Sequence, residues 1–142
     1  MQNINIDDGF SEFSLNNDES RIVRINLNDF GIITRMKEKQ AELEDYAKEQ
    51  VKIESPEDLI EYKKRQDKIT REMTDYIFNS DVSSALYGNQ DALTLKNGVT
   101  ILERFFKAIE PMIKKTIETE AKKSKERVEK YTKDKILSQV KK

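Results

Sequence analysis

The chain has 142 residues, with 26 Lys and Arg against 27 Asp and Glu, and it contains no histidine, cysteine or tryptophan. Without imidazole or thiol there is no zinc finger, no Cys nucleophile, no CxxC redox pair and no Ser-His-Asp machinery. Composition thereby argues against most enzymes, and a non-enzymatic protein with no catalytic residue, no cofactor and no metal site is expected. This length holds one domain and a tail, at about 100–200 residues per domain.

Residues 1–27 read as strands. Asp8-Gly9, inside Asn5-Ile6-Asp7-Asp8-Gly9-Phe10, is a hairpin signal because Gly9 tolerates the positive φ of a tight turn. Ile4 and Ile6 alternate before it, and Phe13 and Leu15 alternate after it. Asn16–Ser20 is a polar turn, and Val23, Ile25 and Leu27 then alternate with Ile22, Arg24 and Asn26. The pattern predicts a three-stranded antiparallel sheet with one apolar face, which the downstream helices must cover.

Asn28 or Asp29 caps a helix expected from about Phe30 to about Ile53, with a seam of Ile33, Met36, Leu43 and Ala47 around Gln40. Ser55-Pro56-Glu57-Asp58 opens the next helix, with a capping hydroxyl, a proline in the first turn and acids beside it. Its seam is Leu59, Tyr62, Ile69, Met73, Tyr76 and Ile77 around Gln66. Folding back near residue 54 sets Ala47 against Leu59, Leu43 against Tyr62, Met36 against Ile69 and Ile33 against Met73. In that register Gln40 opposes Gln66, a polar pair able to fix the alignment of an antiparallel helical hairpin.

Asn79-Ser80-Asp81 breaks the pattern. A short helix over Val82–Tyr87 closed by Gly88 follows, then a loop at Asn89-Gln90-Asp91. The last helix is expected from about Asn97-Gly98, with Pro111 kinking or breaking it near Lys107–Glu110. Beyond Ile117 the chain is helix-prone but mostly charged.

The expected fold is therefore α+β and mostly α, with a small N-terminal antiparallel β-sheet packed on an antiparallel helical hairpin and a kinked C-terminal helix. Residues 1–117 form a single folded domain: a β region at 1–27, the hairpin at 30–78 and C-terminal helices at 82–117. Residues 118–142 are a charged basic extension, helical or disordered. No apolar run approaches the ~20 residues that span a bilayer, so no membrane association is expected. Met1–Asp8 has neither a basic start nor a hydrophobic segment, so no signal peptide is expected.

Near-neutrality conceals a division. Residues 114–142 carry eleven Lys or Arg and five Asp or Glu, a balance of +6, which leaves −7 for the rest. An acidic body with a basic tail favours head-to-tail self-association or an acidic partner.

The search for chemistry returns little. The four glycines are scattered, so no phosphate-binding loop is present. Asp7-Asp8-Gly9 lacks the upstream oxygen ligand of a calcium loop, since Ile6 stands there. Glu42, Glu44, Asp45 and Glu49 alternate with Lys39, Lys48 and Lys52 at helical spacing, the pattern of a solvated face. Nucleic-acid binding by the basic tail is disfavoured, because five acids interrupt it and Tyr131 is its only aromatic residue. The strongest apolar face is Leu102, Phe105, Phe106, Ile109, Met112, Ile113 and Ile117. It is expected mainly to pack internally, and Phe105, Phe106, Ile109, Met112, Ile113 and Ile117 are the candidate partner-binding residues.

Ala85-Leu86-Tyr87-Gly88, Leu93–Gly98 and the stretch from Leu102 through Phe105-Phe106-Lys107-Ala108-Ile109-Glu110-Pro111-Met112-Ile113 carry a resemblance. In arrangement the chain resembles the tail assembly chaperones of long-tailed bacteriophages and prophages of Gram-positive bacteria. Their order is a short strand region, a charged helical hairpin, a small turn motif and a helix of the form F-x-x-A-I-x-P-x-I. Residues 3 to about 120 follow that order.

The resemblance implies a protein in the cytoplasm of the infected bacterial host. It would bind the tape measure protein, keep it soluble while tail tube subunits polymerise, self-associate, and leave before the virion is complete. The tail tube protein is a second candidate partner. The alternatives are a structural or scaffolding subunit retained in the particle, as a head–tail or tail component, and, more remotely, a nucleic-acid-binding regulator using the basic tail.

Overall fold

The computed structural model describes residues 1–47 and 52–140, the side chains of residues 43, 44, 46, 47 and 140 aside. It is mixed α+β and mostly helical. Strands β1 (Ser11–Leu15) and β2 (Asp18–Ile25) form an antiparallel hairpin, followed by helices α1 (Gly31–Ala47), α2 (Pro56–Phe78) and α3 (Ser83–Tyr87). A second, minimal hairpin of β3 (Leu95–Lys96) and β4 (Val99–Thr100) leads directly into the long helix α4 (Ile101–Val140).

The N-terminal sheet has two strands, not the expected three. Gly9 does take a positive φ of 85°, but Asp7 and Asp8 close local turns onto the N–H groups of Gly9 and Phe10 instead of a hairpin. Residues 1–10 form no strand, and Ile4 and Ile6 lie exposed. The hairpin turn falls instead at Asn16-Asn17, where both residues have positive φ (54° and 58°) between the paired Leu15 and Asp18. Two consecutive left-handed residues match the right-handed twist of the flanking strands, so this turn closes the tighter hairpin. Pairing shifts register between Ser14 and Leu15. Beyond that irregularity Val23 and Ile25 turn into the core while Ile22 and Arg24 stay outside, the alternation of a half-buried strand.

Asp29 starts α1. Its carboxylate accepts the Gly31 N–H at 2.9 Å and pairs with Arg35 at 2.6 Å, and a Cβ on Gly31 would crowd that carboxylate at 2.8 Å. Arg35 also donates to the Ile77 carbonyl at 2.8 Å, so one guanidinium ties the start of α1 to the end of α2. Together with Lys39 stacked over Tyr76 at 4.5 Å, this contact makes α1 and α2 antiparallel neighbours. The expected continuation of α1 to Ile53 is not found, because residues 52–54 lie outside any helix. The Glu54 N–H is instead bonded by the Asp58 carboxylate as α2 begins. Ser55 caps α2, accepting the Asp58 N–H at 3.2 Å, and Asn79 closes it in the left-handed conformation.

The glutamine pair does not form. Gln66 is buried, its side-chain nitrogen has no hydrogen-bond partner among the described residues, and Gln40 is exposed. Long side chains, Arg35 and Lys39, link the two helices in its place. The expected pairings of Leu43 with Tyr62 and of Ala47 with Leu59 involve side chains outside the described set.

The core gathers Val23 and Ile25 of β2, Ile32 of α1, Met73, Ile77 and Phe78 of α2, Leu86 and Tyr87 of α3, and Leu102, Ile109 and Ile113 of α4. Every major element contributes, so no pair of elements buries its apolar face without a third.

One local expectation for α4 is corrected, and one of two alternatives at Pro111 is excluded. Asn97-Gly98 does not begin the helix; with φ of 55° and 75° it turns the β3–β4 hairpin. The helix starts three residues later, where Thr100 caps it by accepting the Glu103 N–H at 3.2 Å. Nor does Pro111 break it, since helical backbone runs unbroken from Ile101 to Val140. Pro111 and Lys107 both lie on the exposed side of α4, where water can take the carbonyl that the proline leaves unbonded.

Candidate interaction surface

The apolar face of α4 is split between two neighbours. Phe105, Ile109 and Met112 look toward the β1–β2 hairpin across a small cavity of about 240 Å³ shared with Phe13, Leu15, Val23 and Ile25. Phe105 also meets Phe78 edge-on, with ring centres 5.4 Å apart. Phe106 and Ile113 look the other way. They form one wall of a groove of about 490 Å³ whose opposite walls are Ile33 and Met36 of α1 and Met73 and Ile77 of α2. Both sides of the helix are thus engaged.

Of the six residues singled out in the sequence, Ile109 and Ile113 are buried core positions. Phe105, Phe106 and Ile117 are half-buried against that core, and Met112 is 40% exposed. Only Phe106 and Ile113 reach the groove, while Ile117 lines neither cavity. The groove residues on α1 and α2 were visible in sequence as hairpin seams. Their second role shows in Ile33 and Met36, which stay half-buried and line the groove. Lys37, Lys39 and Lys107 stand at the groove with Glu103 and Glu110. Lys39 is engaged by Glu42 at 2.9 Å, and that bond holds its ammonium above the usual lysine range.

Beside the groove, α3 is held by a polar frame that the sequence did not announce. Asp75 on α2 accepts the N–H groups of Val82 and Ser83 and the Ser83 hydroxyl, all within 2.9 Å, and so caps the start of α3. At the other end, Arg21 of β2 donates to the carbonyls of Ala85 and Leu86. An anion at the start and a cation at the end of one short helix satisfy its free backbone groups with the favourable charge at each end.

Two turns earlier on α2, Asp67 accepts the Ala92 N–H at 2.8 Å and pairs with Arg71, which donates in turn to the carbonyls of Gly88 and Gln90. Asp67, Arg71, Thr74 and Asp75 recur at helical spacing, so one stripe of α2 fastens the whole segment from 82 to 92. The spacing was there to be read, but acid–base pairs at i,i+4 look the same whether they face water or a neighbouring loop. Inside this frame the Tyr87 hydroxyl and the Thr74 hydroxyl share a buried hydrogen bond of 2.6 Å. Burial pushes the Tyr87 phenol above its ordinary range.

Among the described residues no group of His, Cys, Asp or Glu is arranged to hold a metal ion. No helix among them is long and apolar enough to cross a membrane. What this surface offers chemically is apolar contact beside paired and unpaired charge. No family model, characterised protein or solved structure matches the chain.

Proposed function

We propose that the protein is a non-enzymatic phage tail assembly chaperone that binds the tape measure protein, keeps it soluble and assists tail tube assembly in the host cytoplasm. The observation that carries this reading is the groove between α1, α2 and α4. It is lined by Ile33, Met36, Met73, Phe106 and Ile113, and it lies in a chain whose surface is otherwise densely charged. An amphipathic helix lays a row of apolar side chains into such a groove, and the charged rim keeps the complex in solution. A tape measure protein, long and helical, offers many such rows.

Co-expression tests the reading. The tape measure protein should be recovered in the soluble fraction bound to this chain, and Phe106→Asp should return it to the pellet. A client that stays insoluble and does not co-purify would remove the proposal. A second reading, a structural or scaffolding subunit retained in the particle, draws on the helix after Ile117, whose described side chains are all exposed. Mass spectrometry of purified virions separates the two, because a chaperone should be absent or present only in trace. The tail tube protein is the second partner to assay.

A further inference from the structure

The segment between α3 and α4 borders the groove and is weakly anchored. Of residues 88–98, Ala92 is buried, Leu93 is half-buried and the rest are exposed; Ala92 and Leu93 line the groove. An alanine brings little apolar area, whereas the preceding α3 sinks Leu86 and Tyr87 into the core. What fastens the segment is polar. Asp67 accepts the Ala92 N–H at 2.8 Å, and Arg71 donates to the carbonyls of Gly88 and Gln90 at 2.9 and 2.8 Å while pairing with Asp67. Asp67 and Arg71 also border a shallow depression on the outer surface, so water competes for the same bonds. The ends of the segment are built to turn. Gly88 has φ 60° and ψ −132°, a conformation that residues with a side chain avoid, and no described atom lies within 4 Å of where its Cβ would stand. At the other end two residue pairs join β3 to β4 around Asn97 and Gly98, each at positive φ.

We propose that residues 88–98 form a hinged lid on one end of the groove, latched by Asp67 and Arg71, that opens while the surrounding helices stay folded. The proposal rests on the reading of the groove as a binding surface and adds how access to it is controlled. Asp67 lies one turn before Thr70, a groove residue of α2, and the segment passes from there to Thr100, just before α4. It therefore bridges α2 and α4 at that end. Opening gives up three hydrogen bonds to α2 and the burial of one alanine, the signature of a local rather than a global transition. It also takes Ala92 and Leu93 out of the wall, so a helix longer than the closed groove can run through. Closed, the lid shortens the apolar strip that the free protein shows to water.

The test uses the full chain alone, with amide hydrogen exchange read residue by residue. The Ala92 amide, held by Asp67, and the Thr94 amide, held by the Asp91 carbonyl, should exchange faster than those of Met73 and Ile77 in α2. Low denaturant should speed the α2 amides and leave the lid amides unchanged, because the lid opens without global unfolding. Arg71→Gln cuts the latch, and Gly88→Ala strains the closed hinge without filling any space. Each should speed exchange at Ala92 by about tenfold with helix content unchanged by circular dichroism. The second variant is needed because Arg71 also lies over the Tyr87 ring, 5.4 Å from its centre. Access to the groove is read with anilinonaphthalene sulfonate, whose fluorescence should rise severalfold in both variants and fall again when Phe106→Asp is added. Lid amides that exchange only as slowly as those of α2 overturn the proposal. So does faster exchange with no gain in dye fluorescence, or dye binding that Phe106→Asp leaves intact. No client is present in these measurements, so their failure and that of the co-expression experiment are distinguishable.

Discussion

The two halves of α4 share one unbroken helix and almost nothing else. From Ile101 to Ile117 the helix is wedged between the β1–β2 hairpin and the α1–α2 pair, with Ile109 and Ile113 in the core. From Glu118 to Gln139 every side chain is exposed, and among the described residues its only ion pair is Lys125 with Glu129 at 4.0 Å. In the first half packing sets the conformation strongly enough to carry a proline. In the second half the helix rests on intrinsic propensity and continuity with the packed turns before it. The contrast separates what tertiary contacts stabilise from what the chain does unaided.

The sharpest probe of this contrast is a pair of truncations made one in each half. Ile113→Ala removes a fully buried side chain and should cost about 2–5 kcal/mol in denaturant unfolding. Asp75→Ala should come next. It leaves the buried start of α3 without its acceptor and should cost about 1–3 kcal/mol, with faster hydrogen exchange confined to residues 82–92.

Tyr87→Phe probes the same frame through pH. The folded chain holds the Tyr87 proton above the ordinary value of 10.0 and the unfolded chain does not, so the stability from this group is complete below pH 10 and is lost as pH rises through the folded value. Wild-type protein should therefore lose stability above pH 10 by a component that Tyr87→Phe lacks. At neutral pH the variant should be weaker by about 1 kcal/mol for the lost bond to Thr74.

Gln66→Met should act in the opposite direction, raising stability by about 1 kcal/mol, because it removes a buried amide nitrogen that has no partner among the described residues. Val128→Ala, in the bare half of α4, should change stability by less than about 0.5 kcal/mol. If Val128→Ala cost as much as Ile113→Ala, the two halves would not differ as described, and the far half would have to be packed in solution.

Much of the local structure was legible beforehand. Ser55-Pro56 placed the start of α2, Gly88 the end of α3, and the alternation of Val23 and Ile25 the inward face of β2. Each signal works through backbone geometry or one side-chain cap within a few residues, so no distant partner is needed to read it. The Asn97-Gly98 turn is equally local, but the strong apolar period that follows it masks the turn as a helix start. The candidate site was legible only in part. The row from Phe105 to Ile117 is plain from its period, but which members are core and which face a groove depends on where β1, β2, α1 and α2 settle around it.

By itself, the sequence determined the kinds of element, most of their caps, the division of charge and the absence of imidazole and thiol chemistry. Only the tertiary structure decided that residues 1–10 form no strand, that the Gln66 side-chain nitrogen finds no partner among the described residues, that Pro111 is tolerated and that Asp75 and Arg21 clamp α3 from opposite ends. The reason is range. Caps, turns and periodicity act over a few residues, whereas a groove, an orphaned amide or a tolerated proline is set by side chains tens of residues away competing for one limited volume.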